Sequence, residues 1–216
     1  MNNKMSLNKD SLSDQISREL RQRIVNVEID QGEKINVSAL EEEFKVSRAP
    51  IREALQSLVD EGLVEVKPRV GYFAVELEKK QIEDICELRK LLETFALETS
   101  IEKISEEKLI KIYSESIRLR KGNLSKIEKR DKFDKSDEEL HKLIIQNSGN
   151  IYLNNFAKRI HNLIALTRHL NERIDEAVEE HISIIKAMKN EKKKEAKALL
   201  TKHLDNVESE IISQIE

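Results

Sequence analysis

The segment from Val46 to Leu58 constrains the fold more than any other part of the chain. Ser47 is a suitable N-cap, and Pro50 falls in the first turn of a helix, where its missing N–H costs little. Apolar residues then recur at helical spacing on one face, at Ile51, Ala54, Leu55 and Leu58. Arg48 and Arg52 lie one turn apart, away from that face. Taken alone, the pattern is that of a capped surface helix, but two arginines in the first turn also suit a helix that enters the major groove of DNA.

The flanks of this helix favour the DNA-binding interpretation. Residues 37–45 predict a short helix, and a turn at residues 45–47 joins it to the arginine helix with helix-turn-helix spacing. Two short alternating or β-branched runs follow, at residues 63–66 and 72–75, around a tip that contains Pro and Gly. Helix, turn, helix and basic hairpin in this order predict a winged helix-turn-helix domain.

This region resembles the GntR family of bacterial transcription regulators. The matching residues are Gly32, the V-S-R-A-P-I-R-E-A-L run at residues 46–55, Glu61-Gly62-Leu63, and Gly71. The resemblance implies that the recognition helix and the wing contact double-stranded DNA, through Ser47, Arg48, Pro50, Arg52, Arg69 and Gly71. One departure is the acidic run at residues 41–43, where relatives often have small or apolar residues.

Composition limits the function classes without selecting one. The net charge is −3, and the first 75 residues carry 11 Lys and Arg against 13 Asp and Glu, so DNA binding depends on where the arginines lie and not on bulk charge. The one cysteine, Cys86, excludes an intramolecular disulfide, and its place on an amphipathic helix predicts a packed small hydrophobe. Because the sequence has no apolar leader and no run of about 18 apolar residues, we expect a cytoplasmic protein without a membrane partner.

Helical periodicity and breaks divide the rest of the chain. We expect a disordered N-terminus at residues 1–10, the winged domain at 11–75, a linker at 76–78 and an all-helical domain at 79–216. Six helices are predicted in the last of these, at residues 79–101, 105–121, 125–147, 150–172, 174–190 and 192–214. Short connections between them predict an antiparallel bundle with its own core. The fold class is therefore mainly α, with a small β-hairpin wing.

The helical half also resembles a known domain. The matching features are the E-L-R-K-L-L-E run at residues 87–93, an Asp-x-x-x-His motif before Ser148-Gly149-Asn150, and two later histidines. They look like the C-terminal ligand domain of the FadR subfamily, the FCD domain. The resemblance thus covers nearly the whole chain from residue 11.

Four residues in this half form a candidate metal site. Asp137 and His141 share one helical face, and His181 and His203 each occupy a position in an apolar seam. Unpaired, such buried groups cost roughly 1–3 kcal/mol each. One Asp and three His suit Zn, Mn, Fe or Ni, and metal-containing members of the resembled subfamily carry this order. We expect one divalent transition metal per chain, with Zn preferred; the other interpretation is a set of hydrogen-bonded core histidines.

Two further histidines, His161 and His169, fall beside the apolar face of their helix and are left out of the site. Arg89 falls on an apolar seam, where a guanidinium needs an anion. That anion could be Glu93 at i+4, a carboxylate from another helix, or the carboxylate of a bound effector. The resemblance favours the effector.

These features together predict a homodimeric transcription regulator, a repressor that binds a pseudo-palindromic operator. A small carboxylate metabolite, bound beside the metal and Arg89, would control operator binding. Two alternatives remain at this point. The first is a metal-dependent hydrolase or oxygenase that uses the Asp/His₃ site, although no general base stands out beyond the ligands. The second is a helical interaction module with an inactive metal site.

Overall fold

The computed structural model describes residues 11–215. Residues 1–10, for which the sequence predicts disorder, and residue 216 lie outside the described part. The chain separates into two compact units, one ending at Leu77 and one beginning at Glu78.

From residue 11 onward, the first unit contains three helices and three short strands. In chain order they are α1 (Leu12–Val25), β1 (Lys34–Ile35), α2 (Val37–Phe44), α3 (Arg48–Asp60), β2 (Val64–Lys67) and β3 (Gly71–Ala74). The strands form an antiparallel sheet in the order β1-β3-β2, and β2 pairs with β3 from Val64 opposite Ala74 to Lys67 opposite Gly71. This is the winged helix-turn-helix fold that the sequence predicts, and the apolar face of α3 is buried in its core.

Strand β1 is an addition to the predicted hairpin. Its cause lies in the preceding turn, where Gly32 takes a φ of +76° that few other residues tolerate. A Cβ on Gly32 would also lie only 2.8 Å from a carboxylate oxygen of Glu76. The Gly32 N–H donates to the Ala74 carbonyl (3.0 Å), and the Ala74 N–H donates to the Glu33 carbonyl (2.9 Å). The turn therefore aligns the next two residues with β3.

Local hydrogen bonds fix the ends of the first two helices. The Asn36 side chain accepts from the N–H groups of Ser38 and Ala39, both at 3.1 Å, and so caps α2. Helix α1 ends at Val25. There, Val27 adopts a φ of +58°, and the N–H of Glu28 reaches back to the Arg23 carbonyl (2.8 Å), which closes the helix.

The second unit is helical throughout the residues described. Its helices are α4 (Lys79–Ser100), α5 (Glu106–Lys121), α6 (Lys126–Gln146), α7 (Ile151–Ala165), α8 (Ile174–Lys189) and α9 (Lys193–Ser213), with a 3₁₀ turn at Arg168–Leu170. The prediction for α7 ran to residue 172 and was too long. The Arg130 guanidinium on α6 bonds the carbonyls of Arg168 (3.1 Å) and Asn171 (2.5 Å), and these long-range bonds hold the chain out of the helical path.

Buried apolar residues in the described part of this unit form two clusters. Along α6, Phe133 belongs to one cluster and Leu140 and Ile144 to the other. Along α8, Val178 and Ile185 are divided in the same way. Of the proposed metal ligands on these helices, Asp137 lies between the two clusters, whereas His141 and His181 each lie between members of one cluster. None of the helices in the described range combines the length and apolar character that a bilayer crossing requires.

Candidate nucleic-acid interface and candidate metal centre

Helix α3 presents two arginines from its first turns. Ile51, Ala54, Leu55 and Leu58 are at most 1% exposed, so they fix the rotation of the helix against the core. Arg48 and Arg52 are exposed on the other side. Ser47 stands at the N-cap position as predicted, but its hydroxyl accepts no capping hydrogen bond.

A cleft of about 490 Å³ lies between the start of α3 and the wing. Its described lining residues are Lys34, Ile35, Asn36, Val37, Arg48, Arg52, Val70, Gly71 and Tyr72. Three cationic side chains thus border one concave surface. Among the sequence-predicted DNA contacts, the cleft brings together the two arginines of α3 and Gly71. Ser47, Pro50 and Arg69 are not among the described lining residues, and Arg69 lies at the wing tip with a φ of +64°.

Two residues of the acidic run at the end of α2 form ion pairs with different partners. Glu43 binds Arg23 of α1 (2.5 Å) and so joins two helices of the core. Glu41 lies 3.3 Å from the guanidinium of Arg48, which also donates to the Ser38 hydroxyl at 3.0 Å. The run therefore places one carboxylate beside a predicted DNA contact. Lys34 borders the cleft, although the sequence did not single it out.

The four predicted metal ligands meet in the second unit. Asp137 and His141 come from α6, His181 from α8 and His203 from α9, and one donor atom of each lies within 4.8 Å of the others. The Asp137 Oδ1 atom is 3.4 Å from the Nε2 atoms of both His141 and His181. The Nε2 atoms of His181 and His203 are 3.2 Å apart. All three imidazoles are at most 2% exposed.

The donor set fits a divalent metal ion. The Nε2 atom of His141 is buried and has no hydrogen-bond partner, so it faces the cluster as an unused donor atom. Burial lowers the pKa of His181 and of His203, which keeps both rings neutral, and neutral imidazole is the form that binds a metal. Burial alone would raise the pKa of Asp137, but its charged neighbours outweigh burial and the pKa lies well below its usual value. Burial alone would lower the pKa of His141, but the charges of Glu93 and Asp137 raise it above its usual value, so a metal ion would displace a proton from this ring. One carboxylate and three imidazoles, once that proton has left, suit Zn²⁺.

Arg89 has an intramolecular partner. Its Nε atom donates to the Glu93 Oε1 atom at 2.7 Å, and the two side chains are 6% and 1% exposed. Of the partners considered from the sequence, the structure therefore has the residue at i+4. The other oxygen of Glu93 bonds the Nδ1 atom of His141, so Arg89 is linked to the predicted metal site through a single carboxylate.

Sequence reasoning missed three members of this cluster. Glu93 was considered only as a partner of Arg89, and Glu180, whose Oε2 atom lies 2.7 Å from the His203 Nδ1 atom, was not considered. His161 of α7 was set aside, yet its buried Nε2 atom lies 3.4 Å from the Glu93 Oε1 atom and has no hydrogen-bond partner. Burial lowers the pKa of His161 to about 4. His169 is exposed, in agreement with its omission.

Comparisons with known proteins identify both halves. Residues 12–74 match the family described as bacterial regulatory proteins, gntR family, and residues 84–206 match the FCD domain. The gluconate operon transcriptional repressor of Bacillus subtilis is 35% identical, over 68% of this chain and 59% of its own length. The Zn²⁺-bound FCD domain of TM0439 is 35% identical, with a TM-score of 0.57 over 65% of this chain and 97% of that one.

The whole chain also has a match of the same fold. McbR/YncC of E. coli gives a TM-score of 0.80 over 95% of this chain and 99% of that one, at 20% identity. Regulators with this helix-turn-helix bind DNA and are typically dimers. The matched family and the relatives are regulators, so a metal-dependent enzyme has no support. The chain is a transcriptional regulator and belongs to the GntR family, in the FadR-like branch that carries an FCD domain.

Proposed function

We propose that this regulator represses transcription by binding a pseudo-palindromic operator as a homodimer, and that a small carboxylate metabolite controls this binding. DNA binding is assigned to residues 11–75, through Ser47, Arg48, Pro50, Arg52, Arg69 and Gly71. Residues 76–78 form the linker. Metal binding, effector binding and dimerisation are assigned to residues 79–216, with the metal held by Asp137, His141, His181 and His203 and the effector by Arg89.

The observation that carries the proposal is the buried Asp/His₃ cluster beside Arg89, in a chain that also has a helix-turn-helix. Zn²⁺ is the preferred ion because its chemistry suits these donors and because the TM0439 domain was solved with it; Ni, Mn and Fe are the alternatives. When bound, such an ion supplies a positive centre with coordination positions for an oxygen ligand.

Charge balance favours an anionic effector. Arg173, 3.3 Å from Glu180, balances the charge of that carboxylate. Of the remaining groups, Arg89 carries one positive charge and Glu93 and Asp137 carry one negative charge each, so with neutral imidazoles a divalent ion leaves a net charge of +1. One carboxylate would bring the net charge to zero, and an uncompensated buried charge is expensive. Because Arg89 uses its Nε–H for Glu93, its two terminal amino groups are the donors for a ligand.

Control of DNA binding needs two states with different operator affinity, of which the effector prefers one. Backbone N–H groups on each side of the connection between the two units donate hydrogen bonds to side chains. The N–H of Leu77 donates to the Gln31 side chain at 3.3 Å, and the N–H of Glu78 donates to the Gln81 side chain at 2.9 Å. A short connection held at each end can transmit strain from one unit to the other.

The test of effector control uses operator DNA and a set of small organic acids. We expect one acid to raise the melting temperature of metal-loaded protein and to change its affinity for its own promoter in fluorescence anisotropy. Arg89→Lys keeps a cation for Glu93 but loses the planar guanidinium group, which can donate two parallel hydrogen bonds to a carboxylate. It should therefore weaken acid binding at least about tenfold and leave the metal content unchanged. Arg118→Ala, an exposed arginine of α5, is the control. An acid that binds wild type and Arg89→Lys equally well would place the effector elsewhere.

The DNA-binding assignment has its own test on the same promoter. Arg52→Ala should weaken operator binding by roughly 1–3 kcal/mol and relax sequence preference, because α3 would lose a base-reaching side chain. The Arg118→Ala variant should bind as wild type does. If neither Arg48→Ala nor Arg52→Ala weakens binding to any site in the promoter, then α3 is not the recognition helix.

Dimerisation is assigned to an apolar patch on α4 and α7. The patch consists of Leu88, Leu91, Phe95, Tyr152 and Phe156, which are 39–75% exposed. Two contacts show that these helices are neighbours: Lys103 Nζ bonds the Ser148 carbonyl (2.9 Å), and Glu93 lies beside His161. The two helices are therefore antiparallel, with the two phenylalanines at about the same level.

A patch of this kind is expected at an interface between copies. Phe95→Asp should make the protein monomeric in analytical ultracentrifugation and weaken operator binding, because two half-sites would no longer be read together. Ile127→Asp, at an exposed apolar residue of α6, is the control. A Phe95→Asp variant that stays dimeric would contradict this assignment.

A further inference from the structure

Two carboxylates outside the predicted ligand set each contact the outer ring nitrogen of a predicted ligand. Glu93 of α4 bonds the Nδ1 atom of His141, and Glu180 of α8 bonds the Nδ1 atom of His203 at 2.7 Å. We propose that Glu93 and Glu180 are positioning residues, which fix the tautomer and the rotation of these two rings so that both present Nε2 to a transition-metal ion. The inference rests on the proposed metal site.

A neutral imidazole exists in two tautomers. A neutral ring has one N–H and one lone pair, and the partner of one nitrogen decides the state of the other. A carboxylate at Nδ1 accepts the N–H there and leaves the lone pair on Nε2. In both rings, Nε2 is the atom that faces the cluster: His141 Nε2 is 3.4 Å from Asp137 and His203 Nε2 is 3.2 Å from His181. The carboxylates are therefore on the side of each ring that suits metal binding.

Each carboxylate is itself held by a second group. The Oε1 atom of Glu93 accepts from Arg89 (2.7 Å), and its Oε2 atom bonds His141. The Oε1 atom of Glu180 accepts from Asn206 (2.6 Å) and lies 3.3 Å from Arg173, and its Oε2 atom bonds His203. In both cases one oxygen is anchored and the other holds the ring. This division of the two oxygens restricts rotation of the carboxylate and of the imidazole together.

The arrangement also gives α4 a part in the metal site. The four ligands come from α6, α8 and α9, whereas Glu93 reaches His141 from α4, 48 residues away in sequence. A ring that was held only by its own helix could turn about its side-chain torsions when the metal leaves. With Glu93 and Glu180 in place, two of the three imidazoles remain oriented in the metal-free protein.

A purely structural role for these carboxylates makes a different prediction. Polar groups that only satisfy one another would affect folding of the metal-free chain and leave its affinity for metal unchanged. Positioning residues of this type change metal affinity by roughly 10–100-fold when they are replaced. Metal affinity and the stability of the metal-free protein therefore separate the two roles.

The experiment compares full-length wild type with Glu180→Gln and Glu93→Gln. The amide keeps the shape and one acceptor oxygen but loses the charge that polarises the imidazole. The dissociation constant for Zn²⁺ is measured by competition with a chelator of known affinity, and the geometry by the visible absorption of the Co²⁺-loaded protein. Glu179→Gln is the matched control, because Glu179 is the preceding residue on α8 and its carboxylate lies at the surface, 3.4 Å from Arg120.

We expect Glu180→Gln and Glu93→Gln to bind Zn²⁺ about 10–100-fold more weakly and to change the Co²⁺ spectrum, while Glu179→Gln behaves as wild type. If Glu93→Gln does not fold, because Arg89 has lost its counter-charge, the less buried Glu180→Gln carries the test. Wild-type affinity in the folded glutamine variants would overturn the positioning role alone. A wild type that binds no metal ion would overturn the metal site and this inference with it.

Discussion

Removal of the metal should lower the melting temperature of the helical unit by about 9 °C. The four ligands come from three helices and meet only in the folded bundle, so the metal binds the native state and not the unfolded chain. At a free metal concentration 100-fold above the dissociation constant, binding adds about 2.7 kcal/mol to the free energy of unfolding. A unit of about 140 residues has an unfolding entropy of about 0.3 kcal/mol per kelvin. Dividing the binding free energy of about 2.7 kcal/mol by this entropy gives the shift in melting temperature.

Differential scanning calorimetry of the full chain, with Zn²⁺ and with excess chelator, measures this shift. Asp137→Asn should abolish the response, since Asp137 is the only anionic ligand of the set and is also its least buried member. Asp131→Asn, at an exposed residue of α6, should respond as wild type does. The unit that ends at Leu77 contains no member of the cluster, so its transition should not move. Equal melting of the loaded and the chelated helical unit would refute the reasoning.

Three further predictions concern single residues. Burial raises the pKa of Asp134 to about 6, so in metal-free protein Asp134→Asn should raise the free energy of unfolding by about 1 kcal/mol at pH 7.5. This gain should shrink as the pH falls from 6 to 4, because the native wild-type carboxyl takes up its proton first; a gain independent of pH in urea titrations would contradict it. Burial also raises the pKa of Cys86 to about 11, so its thiol should react with a disulfide reagent at pH 8 at least about a hundredfold more slowly than in unfolded protein; comparable rates would disprove this. Glu41→Gln should strengthen operator binding by roughly two- to fivefold in anisotropy at low salt, because it frees Arg48 and removes a negative charge near the phosphates; weaker binding would argue that Glu41 orients Arg48.

Much of the fold could be predicted because its signals are local. The apolar stripe on α3, the breaks between the later helices and the hairpin tip each depend on a few neighbouring residues, and both the fold class and the family were confirmed. Strand β1 could not be predicted, because two residues have no periodicity and their pairing depends on Gly32 meeting Ala74 across the unit. The end of α7 was missed for a similar reason, since Arg130 of another helix decides it.

The candidate site was likewise predictable only where its signals are local in sequence. Asp137, His141, His181 and His203 could be selected because polar residues in apolar seams stand out in sequence, and the structure brings their donor atoms together. Their role as ligands remains a proposal. Glu180 looks like an ordinary surface glutamate in a chain that is 37% charged, and Glu93 stood out only as a possible partner of Arg89. Only the rotation of α4 and α8 in the bundle turns the two carboxylates toward histidines.

The proposed ligands also form two pairs that are close along the chain. Asp137 and His141 lie one turn apart on α6, and His181 and His203 face each other across the α8–α9 hairpin, whose helices are joined by residues 190–192. Contacts of such short range form readily during folding, so each half of the site can form before the bundle is complete. The halves unite only when α6 docks against the hairpin. A metal that needs all four ligands is captured at that step, and interactions made after the transition state slow unfolding without accelerating folding. If that docking step follows the transition state for folding, the metal lengthens the lifetime of the folded bundle and leaves its rate of formation unchanged.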